Sequence, residues 1–233
     1  MSIEHEKACL ICGKQLVYST ESYEAVCSSC GKVFSANVKC EGGHYLCDSC
    51  HASRSYDVIT HICLEAKSRN PVDIAVEIMK DPSVHMHGPE HHVLVGSALL
   101  AAFKNSGGGI DLERALGAMR ERGKQLPGGI CGFWGSCGAA VSAGMFLSIV
   151  TESTPLKGDS RKLCNLLTSE CLKNVSEKSG ARCCKRDGFI SILTAAAFIE
   201  KHLGVKMELP ENHICVFSAR NKECIKDQCP FYP

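Results

Sequence analysis

The sequence predicts a mainly α protein, an antiparallel helical bundle preceded by a small β-rich module. Three observations lead there. Apolar residues recur at helical spacing through residues 55–204, and glycine and proline punctuate that pattern. Residues 1–54 instead alternate short strand-like runs with Cys-x-x-Cys pairs. A third region, residues 205–233, is a cysteine-bearing tail with no regular pattern.

In the first region, "QLVYS", "YEAVC" and "KVFSA" read as strands. The region has too few large apolar residues for a core of its own, and folds this small usually need metal or disulfide staples. In the second region, "SYDVITHICLEAKSRN" places Val58, Ile59, Ile62 and Cys63 on one helical face. Asn70-Pro71 marks a break, and "PVDIAVEIMKD" opens with proline in its first turn, a favoured position. "EHHVLVGSALLAAFKN" is a strongly apolar helix ended by Gly107-Gly108-Gly109. Asp111 caps "LERALGAMRERGKQL", which Pro127-Gly128-Gly129 stops. "GAAVSAGMFLSIV" and the amphipathic "SRKLCNLLTSECLKNVSEK" follow. "GFISILTAAAFIEKHL", apolar nearly all round, is expected at the bundle centre.

Hydrophobic residues are 45% of the 233 and charged residues 22%, as in ordinary folded domains. The net charge of +1 supplies no global field for nucleic acid or an anionic membrane. No apolar run approaches the roughly 18 residues that span a bilayer. The start, "MSIEHEKACL", has no basic stretch before an apolar core, so a cytoplasmic location is expected. Reducing couples there disfavour disulfides, so the seventeen cysteines point to metal, cluster or redox chemistry.

The densest array is Cys9-x2-Cys12, Cys27-x2-Cys30 and Cys40-x3-His44-x2-Cys47-x2-Cys50. These are eight ligands, the number that two tetrahedral Zn²⁺ ions require. "CGK" follows both Cys12 and Cys30, and glycine suits a knuckle turn. A Cys₄ site followed by a Cys₃His site and a cross-braced arrangement both satisfy the spacing. His51 is an alternative to His44, and iron an alternative to zinc in a Cys₄ site. Residues 1–54 carry five Lys/Arg and six Asp/Glu, which argues against phosphate contacts and for docking a protein partner.

"HMHGPEHH" supplies His85, His87, Glu90, His91 and His92 just before the apolar helix. One reading is a solvated polar cap. The other is a metal or proton-transfer site, with His91 or His92 pointing inward and Glu90 orienting an imidazole. Further along, Cys137 is expected at a helix N-terminus, where amides and dipole favour a thiolate. Cys131 lies in a glycine-rich loop beside Trp134. Cys183 and Cys184 are flanked by Arg182, Lys185 and Arg186, a setting that also favours thiolates. The small residues from Gly138 to Gly144 admit a close neighbour. Cys137 is therefore expected near at least one of Cys131, Cys183 and Cys184, with His91 or His92 completing a redox or shared-ligand centre. Cys63, Cys164 and Cys171 read as core.

"CGAAVS" at 137–142 and "CCKRDGFISILTAAAFIEKHL" resemble a family of redox-active helical proteins named for a C, CGAxxG, C, C pattern. The resemblance spans residues 90–203. Ser142 stands where the motif has its last glycine, and the family's first cysteine is missing from "HHVLVGSALLAAF". It implies thiol redox chemistry on a helical fold. The whole chain also resembles an uncharacterised family that joins such a cysteine array to a "HGPEHH" helical domain.

In the tail, Cys215-x8-Cys224-x4-Cys229-Pro230 offers three thiols, and cysteine before proline occurs in iron–sulfur ligand runs. With one ligand from the bundle they suit a [4Fe–4S] cluster; a zinc staple is the alternative. The sequence therefore supports a metal-binding protein with a thiol-based redox or iron–sulfur centre, an oxidoreductase or electron carrier, against a non-enzymatic adaptor or metal-handling protein. It carries no phosphate loop, dinucleotide fingerprint or nucleophile elbow.

Overall fold

The computed structural model describes residue 9 and residues 11–233 of the chain. It is mainly helical, with one small antiparallel sheet, as the sequence predicts. The chain divides into two compact units, Met1–Ser53 and Arg54–Pro233. The tail thus belongs to the same unit as the helices.

The first unit is built on β1 (Leu16–Val26) and β2 (Val33–Cys40), with Leu16 opposite Cys40 and Val26 opposite Val33. The runs "QLVYS" and "YEAVC" fall on one strand, and the register shifts between Tyr18 and Tyr23. Most of the sheet faces solvent: Val26 and Val33 are each 60% exposed. Among the described residues, the buried apolar ones of this unit are Cys9, Ala25, Cys27, Ala36, Cys40, Cys47 and Ala52. Thiols and alanines are a poor core, so this unit needs an additional source of stability.

Helix α1 (Asp48–Glu65) supplies Cys50 to the first unit and Tyr56, Ile59 and Cys63 to the core of the second. Asn70 caps α2 (Pro71–Lys80) by accepting from the Val72 amide at 2.9 Å. The helix α3 (His91–Asn105) follows, and Asp111 caps α4 (Leu112–Gly123) through the Arg114 amide at 3.1 Å. After the short α5 (Ile130–Phe133) come α6 (Gly138–Val150), α7 (Gly158–Ser176) and α8 (Cys184–Leu203).

The central helix is α3, not the "GFISILTAAAFIEKHL" helix expected there. Thirteen consecutive residues, His91–Phe103, are buried, and α3 packs on α2, α4, α6 and α8. Helix α8 has a wet edge at Ala197 and Glu200. Of its three consecutive alanines only Ala197 is exposed, and an exposed alanine costs little. Close packing around α3 depends on small residues. The Gly96 amide donates to Ser142 Oγ of α6 at 2.9 Å, and the space a Cβ would take there holds Met119 of α4. Among the described residues no helix is long and apolar enough to cross a membrane.

Gly96→Val should therefore push Met119 and the Ser142 main chain apart from α3. The expected cost is about 1–3 kcal/mol, typical of overpacking, read as a lower urea midpoint. An unchanged midpoint would mean that the α3–α6 contact has slack.

Candidate metal centres

The eight N-terminal ligands form two interleaved groups. Cys9, Cys12, Cys40 and His44 present ligand atoms all within 4.8 Å of one another, as do Cys27, Cys30, Cys47 and Cys50. The first and third pairs share one group and the second and fourth pairs the other, so the arrangement is cross-braced and His44 serves the first group. Representative separations are 3.3 Å for Cys12–Cys40, 3.9 Å for Cys30–Cys47 and 3.7 Å for Cys9 Sγ to His44 Nδ1. A tetrahedral Zn²⁺ with thiolates at 2.3 Å sets its sulfurs about 3.8 Å apart, so both groups fit one ion each.

Two near-identical turns build the paired ligands. Cys9 N–H donates to the Lys14 carbonyl at 2.8 Å, and Gly13 N–H to the Cys9 carbonyl at 2.8 Å. Cys27, Lys32 and Gly31 repeat this pattern, both bonds at 2.9 Å. Gly13 and Gly31 have φ of 72° and 70°, which explains the "CGK" repeat. Gly42 is needed for another reason: a Cβ there would lie 3.1 Å from Cys12 Sγ and 3.3 Å from Cys40 Sγ.

The main chain also tunes the thiols. Burial alone would raise Cys27, but amides of Cys47, Cys30 and Ser29 outweigh it and bring its pKa down to about 6. Cys40 likewise falls to about 6; burial opposes the shift, while the Gly42 amide at 3.1 Å and the neighbouring thiols drive it. Thiolates poised in this way are ready ligands.

The histidines of "HMHGPEHH" are not a solvated cap. Glu90, His91 and His92 are buried, and the half-buried His87 has a side chain only 6% exposed. Both His91 and His92 point inward because α3 is enclosed on every side. They diverge, however. His91 accepts or donates with Lys185 Nζ at 3.0 Å on α8, and its Nδ1 lies 3.2 Å from the Gly88 carbonyl. His92 Nδ1 lies 3.2 Å from the Leu126 carbonyl, and its ring lies against Gly138, next to Cys137. Burial, then the Lys185 charge, lowers the pKa of His91 well below that of a free imidazole.

The expectation of activated thiolates on the helical unit is corrected by burial. Cys137 is indeed the residue before α6, but desolvation and the Asp187 carboxylate push its pKa up to about 11, against the lowering by the Ala139 and Ala140 amides. Cys184 is pushed up to about 12 and Cys183 is also raised, both chiefly by burial. Cys131 interacts electrostatically with Cys137. The adjacent Cys183 and Cys184 enter different surroundings. Cys184 accepts from the Gly88 amide in the histidine turn. Cys183 is the N-cap of α8, accepts from the Arg186 amide at 3.4 Å and takes the Asn221 Nδ2 donor at 3.6 Å.

Cys183 also lines a small, partly open cavity of about 20 Å³ with Cys215, Cys224 and Cys229 of the tail. Met86, Phe217 and Phe231 complete much of its apolar wall. Of the residues expected to be core, Cys63 and Cys171 are buried, while Cys164 is half-buried.

Sequence reasoning missed Lys185 as more than a flanking cation. Its side chain is almost fully enclosed, donates to the His85 carbonyl at 2.7 Å and contacts His91. Burial brings its pKa down to about 8, opposed by Cys184 and Glu90. Arg186 and Asp187 beside it are a buried ion pair at 2.9 Å. The signal was there: three consecutive charges opening an apolar helix, since buried charges must be paired.

Fold and thiol geometry define a mainly helical protein with two Cys/His groups suited to a metal ion. Residues 59–232 match a family of unknown function, DUF5714, and the chain belongs to it. That span contains the histidine turn and the thiol-lined cavity, whereas both N-terminal groups precede it. No curated protein and no solved structure matches the chain.

Lys185→Met keeps most of the side-chain volume and removes the buried donor. It leaves the His85 carbonyl and His91 without that donor and Glu90 without a nearby cation. A loss of about 3 kcal/mol is expected, as for breaking a buried pair, measured from denaturation of the helical signal. Equal stability would remove Lys185 from the forces that hold the histidine turn.

Proposed function

We propose that the protein is a metal-binding protein with a zinc-stapled N-terminal module and a helical unit that carries a thiol-based redox or iron–sulfur centre. The cross-braced pair of ligand groups supports the first half most directly. Their spacing fits two Zn²⁺ ions, and a unit whose buried residues are thiols and alanines gains its stability from such ions. The ions act there as structural staples, and the module offers its slightly acidic surface to a protein partner rather than to nucleic acid.

For the helical unit, the motive is the concentration of thiols with distinct environments. Cys137 is the N-cap of α6 and interacts electrostatically with Cys131, and the His92 ring packs on the next residue, Gly138. Cys215, Cys224 and Cys229 meet at one cavity. The "CGAAVS" resemblance to redox-active helical proteins agrees with this reading. The competing reading, a non-enzymatic adaptor, keeps the zinc module and assigns the cavity thiols no cofactor.

Metal analysis of the full chain purified without oxygen tests the zinc half. About two zinc per chain are expected from eight tetrahedral ligands, and none would sink it. The cross-brace adds a sharper outcome. β2 joins a ligand pair of one group to a pair of the other, so Cys27→Ser should release both ions while the helical dichroism persists. Full retention of one zinc would show the two sites to be independent.

A further inference from the structure

We infer that Cys183, Cys215, Cys224 and Cys229 are the four ligands of a [4Fe–4S] cluster held between the first turn of α8 and the C-terminal tail. This rests on the reading of the helical unit as a thiol-based metal centre, and it names the ligands and the cofactor of that centre.

The first argument is convergence. Three thiols widely spaced in the tail and one from the start of α8 line the same cavity, a coincidence that thiols placed for packing alone have no reason to produce. The tail is shaped to bring them there. The Cys215 amide donates to the Phe231 carbonyl at 2.7 Å, which folds the two ends of the segment together. Between Cys224 and Cys229, Lys226 adopts φ 48°, an unfavourable backbone for a residue with a side chain. Cys224 and Cys229, on either side of that turn, both line the cavity.

Spacing separates a cluster from a single ion. In the N-terminal groups every ligand atom lies within 4.8 Å of the others, the separation one zinc demands. Among the described residues, no three of the cavity thiols meet that criterion. They line one cavity instead. A cubane takes thiolates set wider than one ion does, because each binds a different iron at a different corner. The four cavity thiols therefore lack the tight single-ion spacing that both N-terminal groups show.

The environment fits the same cofactor. Main-chain amides of Phe217, Lys226 and Arg186 donate to Cys215, Cys224 and Cys183 at 3.4 Å each, and the Asn221 amide group adds a donor to Cys183. Such N–H···S bonds stabilise thiolate ligands and set cluster potentials. Arg186 also stands in the wall, already paired with Asp187 at 2.9 Å, so the positive charge that balances the thiolates comes from the iron of the inferred cluster. The apolar side chains limit solvent, and Cys229 precedes Pro230, as in iron–sulfur ligand runs. Cys184, one residue from Cys183, is engaged with Gly88 and is not a ligand.

The test uses the full chain, purified without oxygen and reconstituted with ferrous iron and sulfide. The expected result is about four iron and four acid-labile sulfide per chain, with broad visible absorption that dithionite bleaches, beside an unchanged zinc content. Cys183→Ala should lose most of the iron and sulfide, and Cys184→Ala should keep them. If Cys183→Ala loses its helical dichroism, alkylation mapping of the reconstituted wild-type chain decides instead. Cys183, Cys215, Cys224 and Cys229 should resist alkylation until iron is chelated. Unprotected thiols, or an undiminished cluster in a folded Cys183→Ala, overturn the assignment. A third zinc without iron overturns it too while leaving a metal-binding protein, and two zinc with no further metal overturns it in favour of dithiol chemistry. Absence of zinc at the N-terminal groups would count against the proposed function instead.

Discussion

The helical unit depends on one enclosed cation. Lys185 extends from the first turn of α8 into the interior and donates to the His85 carbonyl and to His91. Its ammonium also lies 5.3 Å from the Phe217 ring centre. A single side chain thereby joins the histidine turn, α8 and the tail. Removing such a charge from water is costly, and only close hydrogen bonds and the field of Glu90 make it tolerable. The same turn of α8 bears Cys183 and Cys184, so the position of Lys185 sets the position of both thiols. The cavity wall on that side follows from this anchoring.

The N-terminal unit has a different basis. Its sheet faces water, and its buried apolar atoms belong mostly to cysteines and alanines. Hydrophobic burial on that scale does not hold a domain of about fifty residues together. Local geometry instead preassembles ligands: each knuckle is closed by two main-chain hydrogen bonds and a glycine with positive φ. The interleaved pairing then makes the hairpin a shared frame for both groups. The two units therefore differ in kind: one gathers ligands suited to metal ions, and the other is closely packed.

Much of this was legible in the sequence. Asn70, Pro71 and Asp111 announced their helix starts through side-chain caps and a fixed φ, which act within a few residues. The ligand spacing likewise announced the two N-terminal groups, but not their pairing, since both arrangements satisfy the same spacing. The central place of α3 was hidden because α8 has a similar apolar content, and only the packing of neighbours ranks them. Glycine at positions 96 and 138 carried that information without declaring what would occupy the space. The orientation of adjacent histidines and adjacent cysteines was also hidden. The two members of each pair diverge around a helix, and what each meets is set by distant segments.

The thiolate expectations failed and succeeded for one reason. A helix N-terminus or a neighbouring cation lowers a thiol's pKa only when its donors outweigh desolvation. At Cys137 and Cys184 burial wins, and the pKa values rise to about 11 and 12. At Cys27 and Cys40 convergent donors win, and the values fall to about 6. Flanking residues in the sequence reveal the donors but not the depth of burial. In the cavity, main-chain amides donate to Cys183, Cys215 and Cys224, yet burial still raises Cys183 and Cys215. Anionic sulfur there requires compensating positive charge within the cavity itself. The Arg186 guanidinium is largely committed to Asp187, so the wall alone provides little. Iron in the cavity would supply that charge directly, which is the physical case for the proposed cluster over a set of free thiolates.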